Sequence, residues 1–275
     1  MNHPTELKCG AFSLEGYSRS TIETYVKVNE LNICFDIGKC PMSLVHIPQV
    51  FISHFHGDHS LGITYYIAHR NLAKLETGKI YVPASAERAV QDLIRTQAAL
   101  EQARRDYELI PVESGMQIEF KRNMTMRMFD TDHRIPSVGF QVIETRQKLK
   151  PEYQNLKQAE IVALKQKGVE IVSPIHIPHM TYVGDSTIKV FDWHPEILTS
   201  EILITECTFL TDDHYEEAEK RKHIHIKDIV PWLDQIESKY IVLMHFSMRY
   251  TRQEIKHHVN RWIPEQHKHR ILLMI

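Results

Sequence analysis

Six consecutive residues, His54-Phe55-His56-Gly57-Asp58-His59, bring three imidazoles and a carboxylate together. Neutral imidazole and carboxylate are the ligands that suit Zn²⁺, Mn²⁺ or Fe²⁺. Four such groups so close together do not readily serve one tetrahedral ion, and two ions sharing a site is the economical arrangement. A solvated His-rich loop is the plain alternative. The flanking sequence argues against it, because the run is bracketed by two apolar elements and carries Gly57 at the tight point. The chain has 18 histidines against 10 glycines, and histidine is both the commonest metal ligand and a common acid–base group.

The elements that must hold these residues are legible in outline. Gln49 to Ser53 reads as a short apolar strand, and LGITYYIAHRNLAKLE (61–76) as a helix stopped by Gly78. The cluster then sits at the C-terminal end of a strand, where open α/β sheets bind ligands. Ile22 to Val28 and Leu31 to Ile37 read as strands joined at Asn29-Glu30, Lys79 to Val82 as a strand, and Ser85 to Tyr107 as one long helix capped by Ser85. Strands are expected at 116–129, 137–144, 180–183, 201–205, 239–244 and 271–275. Helices are expected at 151–167, 213–222, 226–237 and 252–262. Strands alternate with helices and no linker divides them, so one α/β or α+β domain over residues 1–275 is expected.

Composition narrows the class. Apolar residues make up 43% and charged residues 25% of 275 residues, which excludes disorder, collagen and coiled coil as overall descriptions. No apolar run approaches the roughly 18 residues of a membrane span, and Met1 to Gly10 lacks the pattern of a secretory signal. The formal charge of −2 gives no global basic excess, although a nucleic acid needs only a local patch. Cys9, Cys34, Cys40 and Cys207 form no CxxC. Free thiols and a cytoplasmic protein are expected.

HxHxDH after an apolar strand resembles the signature of the metallo-β-lactamase fold, an αβ/βα sandwich of two mixed sheets flanked by helices. Later segments narrow the resemblance to ribonuclease Z. Asp132-His133-Arg134-Ile135-Pro136-Ser137-Val138-Gly139-Phe140, Tyr182-Val183-Gly184-Asp185-Ser186, Thr205-Glu206-Cys207-Thr208-Phe209-Leu210 and His245-Phe246-Ser247-Met248-Arg249-Tyr250 are each similar to a segment of that family. The last is far more specific than HxHxDH. Phe35 to Pro41 and the stretch QKLKPEY…LKQKGVEI resemble its short plant-type branch. The resemblance spans roughly residues 16 to 260.

The resemblance implies a ligand set. His54, His56 and His133 would hold one divalent ion, Asp58, His59 and His245 a second, and Asp185 would bridge them. Zn²⁺ is the first choice, with Mn²⁺ or Fe²⁺ compatible with the same residues. The implied reaction is cleavage of precursor tRNA after the discriminator nucleotide, leaving a 3′-hydroxyl on the tRNA and a 5′-phosphate on the trailer. Asp58 matches the residue proposed as base. Glu206 and a histidine would deliver a proton to the departing 3′-oxygen. His223 lies 22 residues before His245, as in the family, and is preferred; His225 is the alternative. Glu206 could instead be a buried structural carboxylate. Arg249, Tyr250 and Ser186 are candidate substrate contacts, Arg249 to phosphate and Tyr250 to a base or ribose, although Arg249 could equally pair with a carboxylate. Asp36 reads as a support for the ligands. The family also implies a homodimer, with precursor tRNA and no membrane as partner.

Two departures stand out. Lys222-His223-Ile224-His225 replaces the common Gly-His-Ser-Thr, and no Gly/Pro-rich protruding arm is evident between Glu144 and Tyr182, where a charged helix stands instead. The runner-up function is a dinuclear-metal phosphodiesterase for a small cyclic or activated diester. A basic stripe near 220–222 and 249–256 leading from the site would favour tRNA.

Overall fold

A computed structural model of the chain describes residues 4–275. The first three residues of the stretch read for a secretory signal lie outside that range. Two seven-stranded sheets form in succession along the sequence. The first runs β1 (Thr5–Cys9), β2 (Phe12–Arg19), β3 (Glu23–Val28), β4 (Ile33–Phe35), β5 (Gln49–Phe51), β6 (Lys79–Pro83), β7 (Glu108–Val112), each pairing with the next. The second runs β8 (Gln117–Lys121), β9 (Met124–Asp130), β10 (Val138–Leu149), β11 (Val172–Tyr182), β12 (Ile202–Glu206), β13 (Tyr240–Met244), β14 (Ile271–Leu273), also in chain order. In each sheet the first four strands are antiparallel and the last four parallel. Two similar halves thus face each other. The helices are α1 (Gly57–Ser60), α2 (Ile63–Leu72), α3 (Glu87–Leu100), α4 (Gln158–Gln166), α5 (Lys189–Trp193), α6 (Tyr215–Arg221), α7 (Ile226–Ile229), α8 (Arg252–Trp262) and α9 (Glu265–Lys268).

Three apolar layers follow from this arrangement. Between the sheets, Phe35 stacks on Tyr182 at a centroid distance of 4.9 Å and Phe51 on Tyr81 at 4.2 Å, with Phe140 against both Phe35 and Phe51. Outside the first sheet, Val50, Ile52 and Ile80 pack with Ile63, Ile67, Val90 and Ile94 of α2 and α3. Outside the second, Leu203, Ile241 and Leu243 pack with Phe191, Ile226, Ile229, Ile255 and Val259. The parallel strands are covered on both faces, which is why β12 and residues 241–244 of β13 are continuously apolar or fully buried rather than alternating. This is the expected αβ/βα sandwich.

Local expectations fail in physically readable ways. The N-terminal strands β1 and β2 and the edge strand β7 were not anticipated, because their alternating half-buried residues give a weak signal. The helix expected at 85–107 spans only Glu87–Leu100, and Ser85 lies in a preceding 3-10 turn rather than capping it. The charged run Arg104-Arg105-Asp106 offers no apolar face to prolong it. The strand at 116–129 is a hairpin, turned at Asn123 with φ of +62°. The helix at 226–237 stops at Ile229 because Pro231 follows. The strands at 137–144 and 180–183 are the inner ends of β10 and β11, which extend as a long antiparallel pair carrying α4, a helix that buries no residue. An extension therefore exists between Glu144 and Tyr182 without a Gly/Pro-rich sequence. Among the described residues all four cysteines are free and buried, and no helix is long and apolar enough to cross a membrane.

Gly62 couples the cluster to the loop after β4. Its N–H donates to the Gly38 carbonyl at 2.7 Å, and an added Cβ would lie 2.4 Å from the Cys40 nitrogen. That neighbour is backbone, held by its own bond to Ile37, and cannot yield cheaply. Gly62→Ala is expected to cost about 1–3 kcal/mol by overpacking. A urea-unfolding midpoint equal to wild type would contradict this account of the contact.

Candidate metal centre

Each sequence-predicted ligand sits just beyond the C-terminal end of a strand. After β5 the backbone continues through buried Ile52, Ser53 and His54, with Ile52 N–H bound to Tyr81 of β6. The short helix α1 then turns His59 inward, and the His59 carbonyl accepts from the N–H groups of Ile37 and Gly38. His133 follows β9, Asp185 follows β11, and His245 follows β13. Two backbone features aim them. Gly184 has φ of +70°, and a Cβ there would meet Ser53 at 3.0 Å, so glycine is required immediately before Asp185. His245 itself adopts φ of +60°, a conformation that costs a non-glycine residue energy, and its N–H donates to Ser18 Oγ at 3.0 Å.

The side chains converge in two groups, with Asp185 in the first and 3.4 and 3.5 Å from His59 and His245 of the second. His54, His56, His133 and Asp185 each offer an atom within 4.8 Å of the others, as do Asp58, His59 and His245. His56 Nδ1 lies 3.1 Å from both His54 Nε2 and His133 Nε2. His245 Nε2 lies 3.3 Å from both His59 Nε2 and Asp58 Oδ2. Asp185 Oδ2 is 3.7 Å from His54, 3.9 Å from His133 and 3.5 Å from His245, and Oδ1 is 3.4 Å from His59. Ligands about 2.0–2.1 Å from a tetrahedral ion stand about 3.3–3.4 Å apart, a spacing that these separations bracket. Asp185 Oδ1 is buried and has no hydrogen-bond partner. An orphaned buried carboxylate oxygen is costly unless a cation takes it up. The residues therefore fit two divalent ions.

Protonation tells the same story. Burial, reinforced by neighbouring imidazoles, holds His54, His56 and His133 below the usual histidine pKa, so they are neutral and able to ligate. Burial opposes charge on His59 too, yet Asp185 and Asp36 raise it to about 10. Burial disfavours ionised Asp185, but His245, His59 and His54 hold it well below the carboxylate range. Asp185 and Asp36 favour positive charge at the centre, which a bound divalent ion would supply.

A buried support lies behind the ligands. Asp36 Oδ2 accepts from His59 Nδ1 at 2.7 Å, from Tyr182 OH at 2.5 Å and from Ser53 Oγ at 2.8 Å, while Oδ1 accepts from Ser53 N–H at 2.7 Å. Ser53 Oγ also meets His54 Nδ1 at 3.0 Å. His245 Nδ1 is 3.0 Å from Thr208 Oγ1, and His133 Nδ1 donates to the Lys222 carbonyl at 3.2 Å. Asp36 was anticipated as a support. Thr208 and the Tyr182 hydroxyl were missed, although both lie inside motifs already noted.

The two histidines of Lys222-His223-Ile224-His225 separate cleanly. His223 lines the metal cleft, 3.9 Å from Asp185 Oδ2, with Nδ1 2.8 Å from Glu206 Oε1. Burial works against its charge, but Glu206 raises it to about 9. His225 caps α7 instead, accepting from Lys227 N–H at 3.2 Å and donating from Nε2 to Thr211 O at 3.0 Å. The alternative placing His225 in catalysis is corrected: both its nitrogens are spent on backbone. Glu206 is fully buried and also accepts from Ser186 N–H, Ile224 N–H and Thr208 Oγ1. It positions His223 rather than facing the cleft.

The expected substrate contacts are corrected as well. Tyr250 is buried, its hydroxyl accepting from Leu210 N–H and lying 2.8 Å from His214 Nδ1, so no ring face is free for a base. Ser186 is buried, and its hydroxyl donates to Thr187 O and accepts from Asp132 N–H. Arg249 makes a bidentate pair with Glu217, at 2.9 and 3.2 Å, and does not line the cleft. The cleft, of about 420 Å³, is lined instead by Lys39, Arg134 and Arg221 among its cations. Lys39 and Arg134 were missed, being ordinary exposed residues beside motifs.

Comparisons with known proteins show the family. A family model described as a beta-lactamase superfamily domain matches residues 38–246. The Arabidopsis thaliana protein named tRNase Z TRZ1 is 35% identical over 267 residues, covering 96% of this chain and 95% of its own. Another from that plant, named tRNase Z TRZ2, chloroplastic, is 37% identical over 249 residues, covering 90% of this chain and 70% of its own. The crystal structure of human tRNase Z, short form, superposes with a TM-score of 0.52 at 20% identity, covering 90% of both chains, a likeness of fold.

Asp36→Asn preserves shape but removes the charge that orients His59. Loss of such a support costs about 10–100-fold in metal affinity. Competition with a fluorescent chelator is expected to read that weakening; unchanged affinity would contradict the role given to Asp36.

Proposed function

The chain belongs to the tRNase Z family of the beta-lactamase superfamily, and on that premise we infer that it is an endoribonuclease that removes the 3′ trailer from precursor tRNA, leaving a 3′-hydroxyl on the tRNA and a 5′-phosphate on the trailer. The observation that carries the reading is the convergence of His and Asp side chains fit for two divalent ions, with His223 held against Glu206 at their edge. Zn²⁺ is the first choice of ion, since His and Asp dominate the donors.

Two divalent ions, when bound, supply Lewis-acid stabilisation of the phosphodiester and a nucleophile from water at neutral pH. His54, His56 and His133 would hold one, Asp58, His59 and His245 the other, with Asp185 between them. The remaining chemistry belongs to side chains. Asp58 is held ionised, burial notwithstanding, by His245, and its Oδ2 accepts from Thr21 N–H at 2.7 Å. It faces the cleft and serves as the proton acceptor for attacking water. The departing 3′-oxygen is strongly basic and needs a proton at once. His223 holds one at neutral pH because Glu206 sits at Nδ1, leaving Nε2 as the donor. Glu206, fixed by two backbone N–H groups and Thr208, keeps that ring in place. A homodimer is the expected assembly, to be checked by sedimentation.

The reading is tested by incubating the chain with a precursor tRNA bearing a 3′ trailer, with and without chelator, and mapping the cut. Metal-dependent cleavage after the discriminator nucleotide is expected. Failure on tRNA with vigorous hydrolysis of a small cyclic phosphodiester would replace it with the runner-up. His223→Ala is expected to lose about 10²–10⁴-fold in kcat, the usual worth of a positioned proton donor. His225→Ala should cost about 1 kcal/mol of stability as a lost helix cap and leave cleavage within a few-fold. The reverse ranking would refute the assignment.

A further inference from the structure

With Arg249 bound to Glu217, the cleft needs another source of positive charge for a polyanion. Three cations line it: Lys39, Arg134 and Arg221. Arg221 Nε is 2.6 Å from Glu217 Oε1. Nearby, Lys222 is 2.6 Å and Lys189 3.9 Å from Asp132. Each of these paired cations thus already engages a carboxylate, Arg221 and Arg249 sharing Glu217, and Lys222 and Lys189 sharing Asp132. Lys39 and Arg134 differ. Both are exposed, and among the described residues neither side chain makes an ion pair.

Their backbones are anchored, which separates them from mobile surface cations. Lys39 lies between Gly38 and Cys40, both with positive φ, and its N–H donates to Glu23 Oε1 at 3.0 Å. Arg134 directly follows the ligand His133, whose N–H is tied to Thr131 O, and precedes Pro136 by two residues. Arg134 also lines two further grooves that open from the cleft, of about 450 and 540 Å³. One runs past Ser85, Glu113, Ser114 and Asp130 toward the ends of β6 and β7, and the other past Lys220 and Arg221 together with Asp213, Glu216 and Glu217, so both carry acidic side chains that repel a polyanion. Arg134 lines all three.

We propose that Lys39 and Arg134 form the phosphate grip of this cleft, holding the RNA backbone on either side of the scissile bond. The proposal rests on the trailer-cleaving reading for its substrate and deepens it. A guanidinium can take two phosphate oxygens at once, whereas a lysine acts as a point charge.

The test uses the metal-loaded enzyme with Lys39→Gln, Arg134→Gln and the double variant. Lys79→Gln, at the opposite end of β6, carries the same charge change away from the cleft. Each cleft substitution is expected to lower kcat/KM on precursor tRNA roughly tenfold, through KM, and to reduce the slope of log affinity against log salt by about one. Hydrolysis of bis(p-nitrophenyl) phosphate should change far less, and Lys79→Gln should match wild type on both substrates. The proposal is overturned if the double variant keeps the wild-type KM and salt slope. It is also overturned if both substrates lose equally, since the residues would then act on the metal centre. If wild type hydrolyses the small diester but does not cut precursor tRNA, the trailer reading fails. The grip is then decided by fluorescence anisotropy with a labelled single-stranded oligoribonucleotide: weaker binding by the double variant supports it, and equal binding overturns it.

Discussion

The fully buried carboxylate of Asp36 is the point on which the rest of the molecule turns. Its two oxygens accept four hydrogen bonds, two from Ser53, one from His59 and one from Tyr182. Ser53 and His59 belong to the first sheet and its following helix, and Tyr182 ends β11 of the second. The bonds therefore lock the halves together and set the rotation of a metal-binding imidazole in one operation. A buried charge is tolerable only when its partners are complete. The network is complete only when segments of both sheets are in register, so the same contacts that join the halves orient the ligand.

Around that point the ligands are distributed by a simple rule. Parallel strands point their C-terminal ends to one side, and the loops leaving them meet over the junction of the sheets. His54, Asp185 and His245 come from β5, β11 and β13, far apart in sequence and adjacent in space. The left-handed conformations at Asp36, Gly184 and His245 lie at the exits of β4, β11 and β13, and they are strained at Asp36 and His245, which are not glycine. Strain concentrated beside a cluster of convergent side chains is the usual mark of a site that the surrounding fold over-determines.

Much of this was readable in the chain because it depends on residue type at close spacing. HxHxDH, Gly184-Asp185 and the segment starting at His245 carry their chemistry in a few adjacent letters, and the apolar parallel strands announce themselves. Other features depend on contacts between distant segments. Nothing local distinguishes His223 from His225; only the fold shows that one meets Glu206 and the other caps a helix. Arg249, Tyr250 and Ser186 look like substrate contacts in sequence, yet Glu217, Leu210 and Asp132 occupy them. Lys39 and Arg134 gained interest for the opposite reason, since carboxylates engage Arg221 and Arg249 and leave these two free. The strands β1, β2 and β7 escaped notice because half-buried alternation over five to eight residues is a faint pattern.

The central claim is that one buried carboxylate, Asp185, unites two histidine-rich groups into a two-ion centre. Metal content per chain, measured by plasma mass spectrometry on wild type and Asp185→Asn after dialysis against limiting zinc, tests it most directly. Two ions per wild-type chain, with the variant losing at least one while retaining its fold by circular dichroism, is the predicted result. A single ion in wild type, or an Asp185→Asn protein that still holds two, would contradict it.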